Sequence, residues 1–478
     1  MSEPSIKKNF AYKSVLTIST YLMNFVTFPY VSRVLGVDGV GLVSFVDNTV
    51  NYFLLFASMG VGILGVREVA AVRDIREQRD KVFSNILGLN ITFTVLTLFI
   101  YFLCVNLIPN LKQYEALFYI GSAKILFTTF LVEWFFTGTE NFRYITLRSI
   151  LVKLLYVIMV FILIRTKEDY ILYFVLTVLV VILNACINIV HVRRYVRVQF
   201  SELISLKYIK QNVSLGIYNL MTSMYLSFNV IFLGFVGGNV EVGYYTTAFK
   251  LYSVILGFFT AFTNVMLPRM TSILAGGDND HFVKLIDKSF EAICAFSVPM
   301  ILCAEVLSPE IIYVLSGSGY EGAILPMRII MPAILFVGVA QVLAVQILIP
   351  MRKDSVVLLA SIFGAVISLL INVLLVHHIY CVGTAIVLLG SEMTVTLTYI
   401  IYVKHKKLFK YSLRTVIRSM AFSLPCVFIC YICKIWIIND FLSVGVAGIL
   451  SLLCWVWLQV RCRTMVGNVL KETFVRKQ

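Results

Sequence analysis

Apolar runs of about 20 residues, enough to cross the hydrocarbon core of a bilayer, recur along this chain from Asn9 to Val460. With 60% hydrophobic residues, 14% charged residues and a mean hydropathy of +0.91, a soluble protein of 478 residues would have no water-compatible face. The chain therefore reads as an all-α polytopic membrane protein. No sizeable soluble domain fits between the runs, so catalysis on water-soluble partners is poorly housed. The first run follows Lys7 and Lys8 and continues to about Val31 with no small-residue cleavage site. It reads as a transmembrane helix and not as a signal peptide.

The runs predict about 14 transmembrane helices, near 9–32, 40–65, 83–107, 114–137, 144–164, 171–191, 213–236, 243–266, 289–307, 325–349, 355–376, 380–403, 419–437 and 441–460. Basic residues set their orientation, because the inner side of a bacterial-type membrane retains them during insertion. Loops 66–82, 192–212 and 404–418 hold five, five and six Lys/Arg, whereas the seven loops of opposite parity hold only Arg33, Lys112, Arg165 and Lys167. Both termini are expected in the cytoplasm of a bacterial inner-membrane protein. The net charge of +15 is mostly this trim, and it suits an anionic inner leaflet of membrane lipids. No module for nucleic acid is present.

A repeat organises the helices. Gly36, Val40, Gly41, Leu54, Phe56 and Arg67 fall without a gap on Gly238, Val242, Gly243, Leu256, Phe258 and Arg269, 202 positions later, and Lys8 falls on Lys210. A duplicated multi-helix unit leaves such a pattern, and duplicated halves are the usual skeleton of alternating-access transporters. The expected organisation is an N-lobe over 1–192 with six helices and a linker over 193–212. A C-lobe follows over 213–403 with six more helices, then two further helices and a tail over 404–478. The linker mixes basic residues with Phe200, Leu203, Ile204, Leu206, Tyr208 and Ile209, which predicts a helix lying in the membrane interface. Alternating charge over Glu68 to Lys81 predicts a solvated connecting helix.

Ionisable residues deep in a bilayer are costly unless they face protein or a wet cavity. Lys124, Lys153 and Lys250 lie roughly 10 to 15 Å deep at 1.5 Å per residue, too deep to snorkel cheaply. A cavity-facing role is favoured for them over a structural ion pair. Arg33 and Arg328 sit nearer the outer ends, where snorkelling and a cavity role are equally open. The carboxylates inside helices are Asp47, Glu133 and Glu392, candidates for coupling or gating. Asp47 and Lys250 enter from the same side at nearly equivalent repeat positions and could face each other across a cleft, as a gate or as a structural pair. Glu133 and Lys124, nine residues apart, fall on opposite faces of a regular helix. Proline at Pro29, Pro299, Pro326, Pro332 and Pro425 marks kinks that transmembrane helices tolerate.

The ten cysteines lie almost entirely in apolar helices, so no disulfide framework is implied. Cys426, Cys430 and Cys433 share a helical face without a His or carboxylate, which favours packing over a metal site. There is no Gly-x4-Gly-Lys phosphate loop, no serine-histidine arrangement and no cofactor motif. The His377 and His378 dyad at a helix end reads as interfacial. A membrane-embedded polymerase or glycosyltransferase would need catalytic groups in a large outer loop, and the largest, Ser308 to Ala323, has about 16 residues with only Glu310 and Glu321.

The run Phe28-Pro29-Tyr30-Val31-Ser32-Arg33-Val34-Leu35-Gly36, with Gly39-Val40-Gly41 and Gly65-Val66-Arg67-Glu68, resembles the first two helices of bacterial polysaccharide flippases. These are the Wzx-type branch of the multidrug/oligosaccharidyl-lipid/polysaccharide exporter superfamily. Val242-Gly243-Tyr244-Tyr245, Ala248-Phe249-Lys250 and Leu267-Pro268-Arg269 resemble the corresponding elements of the second half. The resemblance implies two six-helix bundles packed as a V that opens alternately to either side. It implies as substrate an oligosaccharide repeat unit linked by diphosphate to a polyprenyl carrier, with polymerase or export machinery as further partners. It implies cationic substrate contacts at Arg33 and Lys250, while Lys124 and Lys153 rest on depth alone. An H+ or Na+ gradient or the membrane potential is expected to drive the cycle. A peptidoglycan lipid II flippase shares the cationic logic. A drug/cation antiporter would call for carboxylates in the first-lobe cavity, and the first helix has none.

Overall fold

The computed structural model describes residues 6–203, 207–224, 228–406, 413–462, 464, 466–468 and 471, and the regular structure among them is helical. The chain falls into two compact units, Met1–Gly243 and Tyr244–Gln478. Among the described residues eleven helices are long and apolar enough to cross a membrane. Three of the eleven, Val15–Ser58, Phe228–Ala275 and Asp354–His405, have 44, 48 and 52 residues, roughly twice the ~20 that one crossing needs. Each is interrupted by non-helical backbone, at Gly36, at Gly238, and at Ile379 and Tyr380.

The first unit contains α1 (Ile6–Ser58), α2 (Val61–Val72), α3 (Arg76–Leu107), α4 (Pro109–Lys112), α5 (Glu115–Thr128), α6 (Glu133–Gly138), α7 (Phe142–Leu163), α8 (Tyr170–Val192), α9 (Ile209–Met224) and the start of α10 (Phe228–Ala275). Gly36 has φ 71 and ψ 176, and Gly238, its repeat partner, has φ 76 and ψ −174. That backbone region is essentially closed to residues with a Cβ. The repeat is thus written in the main chain as well as in the sequence.

Just beyond Gly36, α1 meets α10 backbone to backbone. A Cβ on Gly41 would lie 1.8 Å from the Asn239 carbonyl oxygen, and one on Gly243 would lie 2.3 Å from that of Val37. Both contacts join repeat-equivalent positions, since Val37 corresponds to Asn239 as Gly41 does to Gly243. One turn on, the Phe45 ring lies edge-on to Phe118 of α5 and Phe235 of α10. The other half of α1 runs beside α7. Thr146 donates to the Tyr12 carbonyl, and Tyr30 donates to that of Ile164 at 2.6 Å. Around this contact Phe28, Val31, Leu35, Val160 and Ile164 form a packed core.

The 193–212 segment is not one interfacial helix. After α8 it turns, makes a single 3-10 turn at Phe200–Glu202, and resumes as helix at Ile209; Ile204 and Leu206 lie outside the described residues. Side chains of α3 capture the N–H groups that a helix would have used. Arg197 N–H donates to Asp80, and Gln199 N–H to Ser84 at 2.8 Å. Lys81 pairs with Glu202 at 2.8 Å, and together with Asn85 it holds the Glu202 carboxyl below its usual range. The solvated helix expected over Glu68 to Lys81 is likewise divided, between α2 and α3.

The second unit holds the rest of α10, then α11 (Asn279–Val306), α12 (Ser308–Ser316), α13 (Ile324–Ile330), α14 (Ala333–Gln341), α15 (Asp354–Ile371), α16 (His377–His405), α17 (Leu413–Trp436) and α18 (Asp440–Arg461). Two π-helical stretches, Val342–Leu348 and Asn372–Val376, interrupt it, a form that recurs at functional sites. The last two helices are fastened to α11 and α12. Arg418 meets Glu291 at 2.5 Å, Lys434 meets Glu310 at 2.9 Å, and the Trp455 indole donates to the Ala295 carbonyl.

Gly41→Ala should lower the apparent melting temperature of the purified protein, with a cost of about 1–3 kcal/mol for the forced overlap. Gly62→Ala, where a Cβ meets nothing within 4 Å, should be neutral or slightly stabilising. Equal effects of the two would contradict the close crossing.

Candidate functional site

In the first unit the deep charges are brought together in two groups. Asp47 lies eleven residues past Gly36, and Lys124 lies nine residues into α5. Lys124 donates to Asp47 Oδ1 at 2.6 Å, and Asn51, one turn further along α1, donates to Oδ2 at 3.0 Å. The side chains are 14% and 32% exposed, so the pair is not sealed in the packed core. Tyr156 and Tyr173 lie close to one another and within electrostatic reach of Asp47. Asp47, expected to face Lys250, therefore has a counter-ion inside its own unit, and Lys124 is held in an ion pair.

The second group forms where the fourth predicted span breaks. After α5 the chain makes a 3-10 turn at Thr129–Leu131, and Val132 adopts a left-handed conformation with φ 40 and ψ 33. A β-branched residue there is a conformational outlier. The freed carbonyls are taken by neighbours: Asn188 of α8 donates to Leu131, and Asn90 of α3 to Thr129. Glu133 follows directly and accepts from Arg148 Nη2 at 2.6 Å, which also donates to Ser149. Arg148 is buried at 5% exposed. Lys153, five residues on, donates to Thr20 of α1 and lies within electrostatic reach of both Glu133 and Arg148. Tyr144, stacked on His191 at 3.8 Å, places its ring beside the Arg148 guanidinium.

Arg33 is exposed and folds back to donate to the Pro29 carbonyl at 2.6 Å. In the second unit, Lys250 is half-buried on α10. Arg328 is exposed and donates to Ser308 at 2.7 Å. Glu392 is buried on α16 and accepts from the Tyr252 hydroxyl at 3.4 Å. Gln341 bridges Thr260 and Thr263 close by on α10. Beside α11, α14 and α17 runs an open groove of about 580 Å³ whose lining is almost wholly apolar, including Val298, Ile301, Leu335, Phe336 and Met420.

Sequence alone does not mark Arg148 as a site residue, because it lies near a predicted helix end where a cation passes for trim. Its distance of five residues from Lys153 puts the two on different faces of a regular helix, so spacing gives no signal either. Asn90, Asn188, Tyr156 and Tyr173 carry no charge and give none.

The Asp47 and Lys124 pair should behave as a coupled unit. Asp47→Asn and Lys124→Met should each lower stability by more than the double variant does, with a coupling of about 1–3 kcal/mol in a double-mutant cycle. Additive effects would mean that the two side chains do not depend on one another.

A model of the family described as "Polysaccharide biosynthesis protein" matches residues 6–274. A protein of Escherichia coli (strain K12), provisionally named an O-antigen transporter, is 26% identical over 418 residues, covering 84% of this chain and 98% of that protein. One of Shigella dysenteriae with the same name is 24% identical over 402 residues, covering 82% and 98%. Among solved structures, the lipid II flippase MurJ in an inward closed conformation superimposes with a TM-score of 0.76 at 15% identity, covering 94% of this chain and 99% of that one. An outward-facing multidrug resistance MATE family transporter of the MOP superfamily gives 0.56 at 17% identity, covering 85% and 97%. At these identities the structural likeness is one of fold.

Proposed function

The chain belongs to the polysaccharide biosynthesis protein family, and we propose that it is a flippase for lipid-linked oligosaccharide. It would move repeat units carried on polyprenyl diphosphate from the cytoplasmic to the outer leaflet of the bacterial inner membrane. The observation that carries this reading is the near full-length match to two proteins named for O-antigen transport. Charge chemistry agrees with it. A diphosphate cannot cross hydrocarbon unpaired, and guanidinium and ammonium groups are its natural partners.

In this reading the headgroup phosphates meet Arg33, Lys124 and Lys153 of the first unit and Lys250 and Arg328 of the second in the course of the cycle. Lys124 can serve only by leaving Asp47, so the 2.6 Å pair becomes a step of transport and Asp47 its coupling group. Glu133 and Glu392 are the other candidates for coupling, to H+, to Na+ or to the membrane potential. The apolar groove beside α11, α14 and α17 suits the prenyl tail, which never needs to leave a hydrocarbon environment. The sugar needs only hydroxyl-bonding partners, which many polar side chains supply. No bond is made or broken in this cycle, and the protein is not assigned an enzymatic activity. Both termini lie in the cytoplasm, and a polymerase or export complex is the natural consumer on the far side.

In cells that depend on this chain for surface glycan, Lys250→Ala and Arg33→Ala should each reduce export by about tenfold or more, with lipid-linked intermediate accumulating and the protein still inserted. Lys250→Arg, which keeps the charge, should retain export. Full export by both alanine variants would remove the cationic site.

A further inference from the structure

Arg148 carries a charge that its surroundings only half satisfy. Nη2 serves both Glu133 and Ser149. Nε and Nη1 are buried with no hydrogen-bond partner among the described residues. Two orphaned nitrogens, with three N–H groups between them, are costly on a buried cation. A guanidinium is shaped to hold two oxygens of one oxyanion in parallel, yet here it meets only one carboxylate oxygen, Oε1 of Glu133.

The carboxylate that supplies this oxygen is poised to leave. The Glu133 side chain is 47% exposed while its partner is 3% exposed, so the pair is sealed on the arginine side and open on the other. Glu133 also follows Val132 directly, and a β-branched residue held left-handed stores strain that a return to helical backbone releases. Lys153 stands on the same helix as Arg148, with its ammonium on the Thr20 hydroxyl. Glu133 thus has Arg148 as its ion-pair partner, Lys153 within electrostatic reach and a strained residue directly before it, and Lys153 brings the Thr20 hydroxyl with it.

We propose that Glu133 is a built-in placeholder for an oxyanion, and that its departure at the Val132 break exposes a phosphate-binding site made by Arg148, Lys153 and Thr20. The ligand class is a phosphate or diphosphate, taken two oxygens at a time by Arg148. This deepens the flippase reading and rests on it for the identity of the natural ligand, the diphosphate of the carrier. It adds Arg148 as a binding residue and makes Glu133 a competitor of the substrate and not a contact to it.

The test is calorimetric titration of the purified full-length chain in nanodiscs with inorganic pyrophosphate at fixed ionic strength. Glu133→Gln keeps the side chain's shape and removes its charge, so pyrophosphate should bind about tenfold tighter than to the parent. Arg148→Lys added to Glu133→Gln should cancel that gain. If the double variant gives no monodisperse protein, Lys153→Gln in the same background should reduce the gain instead. Unchanged or weaker binding by Glu133→Gln overturns the proposal, as does a gain that survives both second substitutions. The readout is independent of transport: a parent that exchanges no lipid-linked oligosaccharide sinks the flippase reading, while the calorimetry still decides the placeholder.

Discussion

Two glycines set how closely the first unit can pack. Gly41 and Gly243, at equivalent points of the repeat, let α1 and α10 touch backbone to backbone against Asn239 and Val37. In a bilayer the surroundings are as apolar as the helices, so association depends on such close approach. The crossing fixes the register of the next turns of α1. Phe45 is clasped between Phe118 and Phe235 one turn on, and Asp47, half a turn further, reaches Lys124. The ion pair is thus placed by a contact that contains no charge.

The charges obey a second rule. The deep cations of the first unit do not stand free: Lys124 holds Asp47, Arg148 holds Glu133, and Lys153 holds Thr20. Each pairing reduces the penalty of burial in a medium without water. Each also leaves the cation in place for an incoming anion, provided the carboxylate can step aside. Partial exposure of Asp47 and the backbone break before Glu133 give both carboxylates that freedom. A transporter needs sites that are satisfied when empty and satisfied when loaded, and exchange of one oxyanion for another meets both conditions.

Much of this is legible in the residues. The turn glycines Gly36 and Gly238 stand out because their positive φ excludes other side chains, so the repeat survives in sequence where geometry allows only one residue. The spans follow from hydropathy, and so does the suspicion attached to Lys124, Lys153 and Asp47. Other features are not readable. The break at Val132 carries no glycine or proline, and it is held by Asn188 and Asn90 from other helices. The linker has the composition of an amphipathic helix, but Asp80 and Ser84 claim its N–H groups. Arg148 looks like helix-end trim until its burial is seen. In each case a tertiary partner outweighs a local signal.

The central claim is that this chain by itself carries a diphosphate-linked glycan across a bilayer on cationic side chains. The direct measurement is reconstitution of the purified protein into liposomes with a fluorescent polyprenyl-diphosphate oligosaccharide, tracking its exchange between leaflets with and without an imposed ion gradient. The account predicts exchange that the parent supports and a chain lacking the Lys250 ammonium does not. A folded, correctly inserted protein that exchanges none of several glycans, under any gradient, would contradict it.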